Sequence, residues 1–379
     1  MAPIKLPLPA SYFCCPPLSS DEINKYRSMG IQSVRDMIDK ARLVGGTHSW
    51  HLLSTEGDLK IYKTKASDRS DRTIVAAAMA TDASLDEVTA LYRSDTTEEA
   101  KAYARRFDQV LVDASTLYTI LPRRHTRPND FMQIKWMAAK SPIDGLVSKR
   151  DFCLLETSLE TQIDGHRAWV RTVLSVQLPS VPDLNASHGL VRAWQYGSGQ
   201  VFVEADHVVH MTYVSDADLG GNGVEWAREQ AHKKFVRSLT AIDRYLREDR
   251  LSRMPILSHS ERCPVAKRLN CYLCRRKFGP LRGKSNCSTC GEVFCNRCNG
   301  VWDIYVGGVP LKLRACIACT IQGTKPRVLE RQDSRQLKNQ TSLGSLSPTA
   351  SDVFDGLSIV DVHSDDEENE ARYSASVVW

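Results

Sequence analysis

Eight cysteines between Cys271 and Cys319 are spaced in a way that could do chemistry: CYLC, twelve residues, CSTC, four residues, CNRC, seventeen residues, CIAC. Four C-x-x-C knuckles supply eight soft thiolates, and a tetrahedral structural zinc takes four, so the count predicts two Zn2+ ions. Only four residues separate the second knuckle from the third, which favours a cross-braced order. Cys271, Cys274, Cys295 and Cys298 are assigned to one ion, and Cys287, Cys290, Cys316 and Cys319 to the other. With every coordination position filled by sulfur, no open site remains for water, and the expected role is structural rather than catalytic. Cys14, Cys15, Cys153 and Cys263 fall outside the pattern and read as free or buried thiols.

The surroundings of the knuckles are basic. From Arg262 to Thr320 there are eleven Lys or Arg against Glu292 and Asp303 alone. Eight thiolates and two dications subtract about four charges, which leaves the segment near +5. Positive charge beside Phe278 and Leu281 could meet an acidic membrane surface while those apolar side chains enter the interface, with about 1 kcal/mol from each basic residue near an acidic leaflet. The other reading is a solvated loop kept soluble by its charge.

The elements that must carry this segment are ordinary ones. The chain of 379 residues is 42% hydrophobic with a formal charge of +5, a composition that singles out no partner. No run approaches about 18 apolar residues, and prolines interrupt MAPIKLPLPA where a signal peptide would be continuous. The expectation is a cytoplasmic protein in a reducing compartment, where clustered cysteines bind metal rather than form disulfides.

Residues 1–20 read as a flexible proline-rich arm. Ile23, Tyr26, Ile31, Val34, Met37 and Ile38 form an apolar stripe on a helix capped at Ser20 or Asp21 and interrupted at Gly30. Two short strands flank EGD, RTIVAAAMA forms another, and DASLDEVTALYR opens with a capping box around Asp82 or Ser84. From residue 150 the period changes to two, with Asp164-Gly165 as a hairpin signal and at least four antiparallel strands to residue 215. Phe235, Leu239, Ile242 and Leu246 then line one face of a long helix.

A helix with one apolar stripe and a sheet with one apolar face cover each other most economically by wrapping the sheet around the helix. That predicts an α+β domain over residues 21–250. Its interior is either a solid core or a space for an apolar ligand, with Trp169, Trp194, Met211 and Tyr213 as candidate lining residues. A linker at 251–264, a finger at 265–320 and an acidic disordered tail at 321–379 complete the division; six of the ten residues in DVHSDDEENE are acidic.

The cysteine block resembles a FYVE-type zinc finger. The similarity rests on CYLC, Phe278 ahead of the second knuckle, Cys290-Gly291, the short gap before CNRC, and Arg314-Ala315-Cys316, which looks like the family's RVC element. The resemblance implies phosphoinositide recognition on endosomal or other endomembranes, with Lys284 and Arg314 on the headgroup elements and Arg282 nearby. This copy is degenerate: Ser285 and Asn286 stand where the family has histidines, and no WxxD precedes Cys271. Weakened or altered phosphoinositide binding follows.

Residues 20–250 resemble START lipid-transfer domains through LKIYK, the run Lys149-Arg150-Asp151-Phe152, VRAW, and DLGGNGVEWAREQ before the last helix. That resemblance implies a helix-grip fold around a hydrophobic lipid. Together the two parts are similar in organisation to oomycete START/FYVE proteins, and imply a peripheral membrane lipid binder or carrier. The alternative is a zinc-stabilised scaffold for protein partners. No HExxH, GxSxG, phosphate loop or dinucleotide fingerprint is present, and His207 and His210 fall on opposite faces of a strand, so no catalytic residue is assigned. No nucleic-acid motif is present either.

Overall fold

The computed structural model describes residues 6–9, 11–67, 72–92, 111–140, 148–206, 208–220, 225–279 and 283–322. Leu281, Arg282, His207 and the acidic tail from residue 323 lie outside them.

The first helix, α1 (Ser20–Lys40), starts one residue earlier than the stripe suggests. Ser19 is the cap: its hydroxyl accepts from the Glu22 amide at 3.3 Å, and the Glu22 carboxylate accepts from the Ser19 amide at 2.8 Å. Gly30 does not interrupt the helix. A Cβ there would meet Met132 Cε at 2.3 Å and Thr157 Oγ1 at 2.6 Å, so the glycine lets the helix lie close against the sheet.

That sheet has eleven strands: β1 (His51–Glu56), β2 (Leu59–Lys65), β3 (Thr73–Thr81), β4 (Leu111–Leu121), β5 (Phe131–Ala139), β6 (Arg150–Ile163), β7 (His166–Ser175), β8 (Val191–Arg192), β9 (Trp194–Ala205), β10 (Val208–Ser215) and β11 (Ala217–Asp218). Nine follow the order β1-β2-β3-β10-β9-β7-β6-β5-β4, all antiparallel, while β8 joins β6 and β11 joins β9. The β6–β7 turn is the expected tight hairpin, with Asp164 at φ 52° and Gly165 at φ 80° between the paired Ile163 and His166. Strand β5 carries its own period-two signal, unassigned in the sequence: Met132, Ile134, Trp136 and Ala138 are buried and alternate with half-buried neighbours, whereas β4 shows no such alternation.

The remaining helices of this domain are α2 (Leu85–Leu91), α3 (Asn185–His188), α4 (Glu225–Val236) and α5 (Ser238–Ser252). Ser84 caps α2 in a reciprocal box with Glu87. The single long helix expected after residue 225 is broken at Arg237. Its carbonyl accepts from the Thr240 amide and hydroxyl, and its guanidinium makes two bonds to Glu56 at 2.8 and 2.7 Å.

Alternation along the strands sorts the core into two faces. Val170, Val201, Val203 and Val214 pack with Val34, Met37 and Ile38 of α1. Trp169, Phe202, Met211 and Val75 pack on the other side with Val236, Leu239, Ile242 and Leu246. The domain is therefore α+β with an antiparallel sheet gripped by its last helices, α4 and α5 lying on β3 and β10. In the RDF run, buried Asp151 accepts from Trp136 Nε1 at 2.9 Å and from Arg192 at 2.8 Å, locking β5, β6 and the approach to β9.

The described part of the arm is a strap. The Leu8 amide donates to Asp113 at 2.6 Å, the Phe13 ring lies 5.1 Å from Trp136, and Tyr118 donates to the Pro16 carbonyl at 2.8 Å. Its apolar side chains had a sheet end to cover, which composition could not show.

The cysteine segment forms two small ribbons, β12 (Lys284–Asn286) with β13 (Val293–Cys295) and β14 (Asn299–Val306) with β15 (Val309–Cys316), followed by α6 (Ile317–Gln322). Residues 251–264 are not a free tether. Leu251 sits in the finger core, the Leu257 amide donates to Ser288 O at 2.8 Å, and the Cys263 amide donates to Gly291 O at 3.0 Å.

Candidate metal centres and the gripped face

The knuckles fold back on themselves for a local reason. After each of the first two, the chain turns through the left-handed region, at Arg275 (φ 58°) and at Gly291 (φ 78°), and the amides of these residues donate to Cys271 O and Cys287 O at 3.0 Å. The turns place two sulfurs of each pair on one side. The Tyr272 amide, donating to Val293 O at 3.0 Å, then holds the first knuckle against β13, which runs into the third, and the Ser288 amide, donating to Arg314 O at 2.8 Å, holds the second against β15, which runs into the fourth.

Two tetrads result, Cys271, Cys274, Cys295 and Cys298, and Cys287, Cys290, Cys316 and Cys319, each with all four sulfurs within 4.8 Å of one another. The sulfur separations recorded are 3.8 Å for Cys274–Cys295, 3.9 Å for Cys287–Cys319 and 4.0 Å for Cys290–Cys316. Six of the eight cysteines are buried, and amides of Cys295, Thr289 and Cys316 point at Cys271 or Cys287 sulfur at 3.3–3.4 Å, which favours thiolate. The geometry is consistent with two bound metal ions in the cross-braced partition. Cys153 is of another kind: burial in the sheet pushes its thiol up to about 12, so it stays protonated and unreactive.

Lys284 and Arg314 are both exposed; Lys284 lies on β12, which leads into the second knuckle, and Arg314 lies on β15, where its carbonyl accepts from the Ser288 amide of that knuckle at 2.8 Å. Phe278 is half-buried against the finger core, with Lys284 Nζ 5.6 Å from its ring centre.

The finger is docked on α5. Glu248 accepts from Arg244 Nε at 2.8 Å and from the Asp303 amide at 3.2 Å, while Arg244 also reaches Asp303 Oδ2 at 3.1 Å. Arg250 joins three elements. It grips Glu87 of α2 with two bonds of 2.7 and 2.9 Å, donates to the Asp82 carbonyl, and donates to Ile321 O at the end of α6 at 3.1 Å. The bidentate bond holds the Glu87 carboxyl below its usual range although burial alone would raise it. Replacing Arg250 by Met should cost about 1–3 kcal/mol and raise hydrogen exchange in α6 and α2 together. Exchange rising in one element alone would show that the arginine does not couple them.

On the other face of α5, Trp169 and Met211 are fully buried and Tyr213 is partly so, all on the gripped face. Trp194 is not there. Val173 pairs with Ser198 but Leu174 pairs with Tyr196, so Gly197 (φ 96°) is an extra residue and the strand changes parity before Trp194. Trp194 instead lies 6.4 Å from Tyr196, which borders a groove of about 190 Å³ under α1. That space is smaller than the ~300 Å³ at which sites for drug-sized molecules begin.

The sequence reading missed a charged group on the gripped face. Glu156 is buried on β6 and accepts from Lys135 at 2.6 Å, Gln133 at 2.8 Å and Arg171 at 2.7 Å; Arg171 also reaches Gln200 at 3.3 Å. Burial would raise the Glu156 carboxyl, but Arg171 and then Lys135 outweigh it and hold the group far below the carboxylate range. A glutamate at an inward position of FCLLETSLE was the available signal. His210 and His232 are buried and held neutral by desolvation, and His232 bonds Ser215 at 2.8 Å.

No family model matches the chain, and no curated protein matches it. Among solved structures, it is similar to human StAR-related lipid transfer protein 5, at 11% identity with a TM-score of 0.45, over 58% of this chain and 95% of that one. It is also similar to the lipid transfer and protein localization domain of human StarD13, at 16% identity and TM-score 0.39, covering 60% and 97%. The STAR-related lipid transfer protein fragment from Xanthomonas axonopodis shares 21% identity at TM-score 0.39, covering 52% and 98%. No helix among the described residues is long and apolar enough to cross a membrane.

Proposed function

We propose that this chain is a noncatalytic, zinc-binding lipid binder that works at membrane surfaces. Zinc suits the tetrads because tetrahedral metal–sulfur bonds of about 2.3 Å set the sulfurs about 3.8 Å apart, the spacing found here. A FYVE-type finger, with Lys284 and Arg314 turned to an acidic headgroup, fits the ligand order and the basic surface.

The observation that carries the lipid reading is the Lys135–Glu156–Arg171 group. Charged side chains sit on the gripped sheet face, on β5, β6 and β7, bonded to Gln133 and Gln200 and beside the apolar Met137, Phe152, Leu154 and Val173. Glu156 is matched inside the protein, but Lys135 and Arg171 keep 19% and 20% side-chain exposure, so a ligand with a polar head and an apolar tail would meet both kinds of neighbour. The helices α4 and α5 pack on β3 and β10, to one side of this group.

The scaffold reading has its own support. Trp169, Phe202 and Met211 are packed tightly under α5, as in a solid core. Native mass spectrometry of the full chain, with metal analysis and lipid extraction, separates the two. We expect two zinc ions and one copurifying lipid per chain. Zinc without lipid, and no uptake from vesicles, would leave the scaffold.

A further inference from the structure

We propose that the tip of the β14–β15 hairpin, Tyr305 to Leu311, is a wedge that enters the apolar interface of an acidic bilayer. The inference rests on the membrane reading above and adds the element that penetrates, which is distant in sequence from Phe278 and Leu281.

The ribbon register defines the wedge. Trp302 pairs with Leu313, Ile304 with Leu311 and Val306 with Val309, so these six side chains share one face. At the root that face is core: Ile304 is 0% and Leu313 7% exposed. Further out the same apolar stripe continues past its packing partners among the described residues, with Leu311 and Val306 at 44% and Val309 at 65% exposure. The opposite face ends in Tyr305 and Pro310, both exposed. From Ile304 to Leu311, IYVGGVPL, no residue carries a charge.

The tip is held out rather than loose. Trp302 Nε1 donates to Ala315 O at 3.2 Å, and the amides of Asp303 and Tyr305 donate to Glu248 and Ser252 of α5 at 3.2 and 3.1 Å. Gly307 and Gly308, at φ 57° and 83°, close a tight turn with nothing within 4 Å of either Cβ position. A projection apolar on both faces has no groove to hold a peptide, but suits a bilayer interface, where apolar side chains with a tyrosine are stabilised.

Charge selects the kind of bilayer. Both acidic residues of the finger are neutralised, Glu292 by Arg268 at 2.8 Å and Asp303 by Lys312 at 2.7 Å and Arg244 at 3.1 Å. Arg314, exposed on β15 beyond the tip, would meet anionic headgroups as the valines enter, joined by Lys312, whose side chain stays 75% exposed while it pairs with Asp303.

The test uses the zinc-loaded full chain and vesicles of phosphatidylcholine, with or without about a third phosphatidylserine. The native chain should sediment with the acidic vesicles. The Val306→Ser/Val309→Ser variant should bind about tenfold more weakly, given the loss of two apolar anchors, with unchanged zinc content and thermal unfolding. Val309→Trp should add fluorescence that acyl-brominated lipid quenches. A native chain that ignores acidic vesicles overturns the membrane reading and the wedge together. If native and serine variants bind alike, or the added tryptophan is not quenched, only the wedge is overturned. Loss of a dimer in the serine variant would assign the tip to a second copy of the chain, which also overturns it.

Discussion

Removing the metal from the full chain should abolish protection from hydrogen exchange across β12 to α6 and leave the eleven-stranded sheet protected. The finger buries few large apolar side chains besides Phe294, Ile304 and Leu313, and its remaining core is largely cysteine. A structural zinc site contributes about 10–16 kcal/mol of apparent binding free energy at neutral pH, and zinc in these tetrads would supply it as folding free energy. Cys287→Ser/Cys290→Ser should reproduce the effect, because it removes half of one tetrad. Exchange mass spectrometry with a strong chelator reads both experiments. Persistent protection of β13 and β15 in metal-free chain, or fewer than two ions at saturation, would reject the two-centre assignment.

Glu156→Leu should be the most damaging single change in the sheet, costing about 3–5 kcal/mol, because it leaves Lys135 and Arg171 facing each other without their shared carboxylate. Replacing all three by Met, Leu and Met should recover much of that loss, since the desolvation of the ions disappears with them. Lipid uptake should not recover if the group holds a headgroup. The pH dependence has a definite sign. The folded-state pKa of Glu156 is depressed, so its stabilisation is complete above the unfolded value of about 4.3 and is lost as the pH falls below it. Glu156→Gln should therefore flatten the acid limb of stability against pH, as followed by urea unfolding. An unchanged acid limb would mean that the ion pair is formed in the unfolded chain or is not formed at all.

The two tetrads were readable from spacing because a knuckle is a local structure and a tetrahedron needs four sulfurs. The four-residue gap before CNRC then favoured the cross-braced partition over consecutive pairing. The sheet was readable wherever period two ran without interruption, as in β6, β7 and β10. It failed for Trp194, where one extra glycine reversed the faces, a feature invisible without the partner strand. The strap through Leu8 and Phe13, and the junction at Arg250, join residues about a hundred or more apart in sequence, and no local pattern announces such pairs. Glu156 stood in plain view as a charge at an inward position, with partners on β5 and β7.

Because Leu251 is packed among the cysteines while Leu246, five residues earlier on the same helix, is packed against the sheet, a single rod of backbone serves as wall for both halves. Any attempt to dissect the chain by cutting between 251 and 264 therefore leaves two torn surfaces. The amino-terminal piece would display Leu251 to water, and the carboxy-terminal piece would lose the carboxylate and hydroxyl that steady its longer ribbon. Fragments made this way should clump where the intact polypeptide stays dispersed.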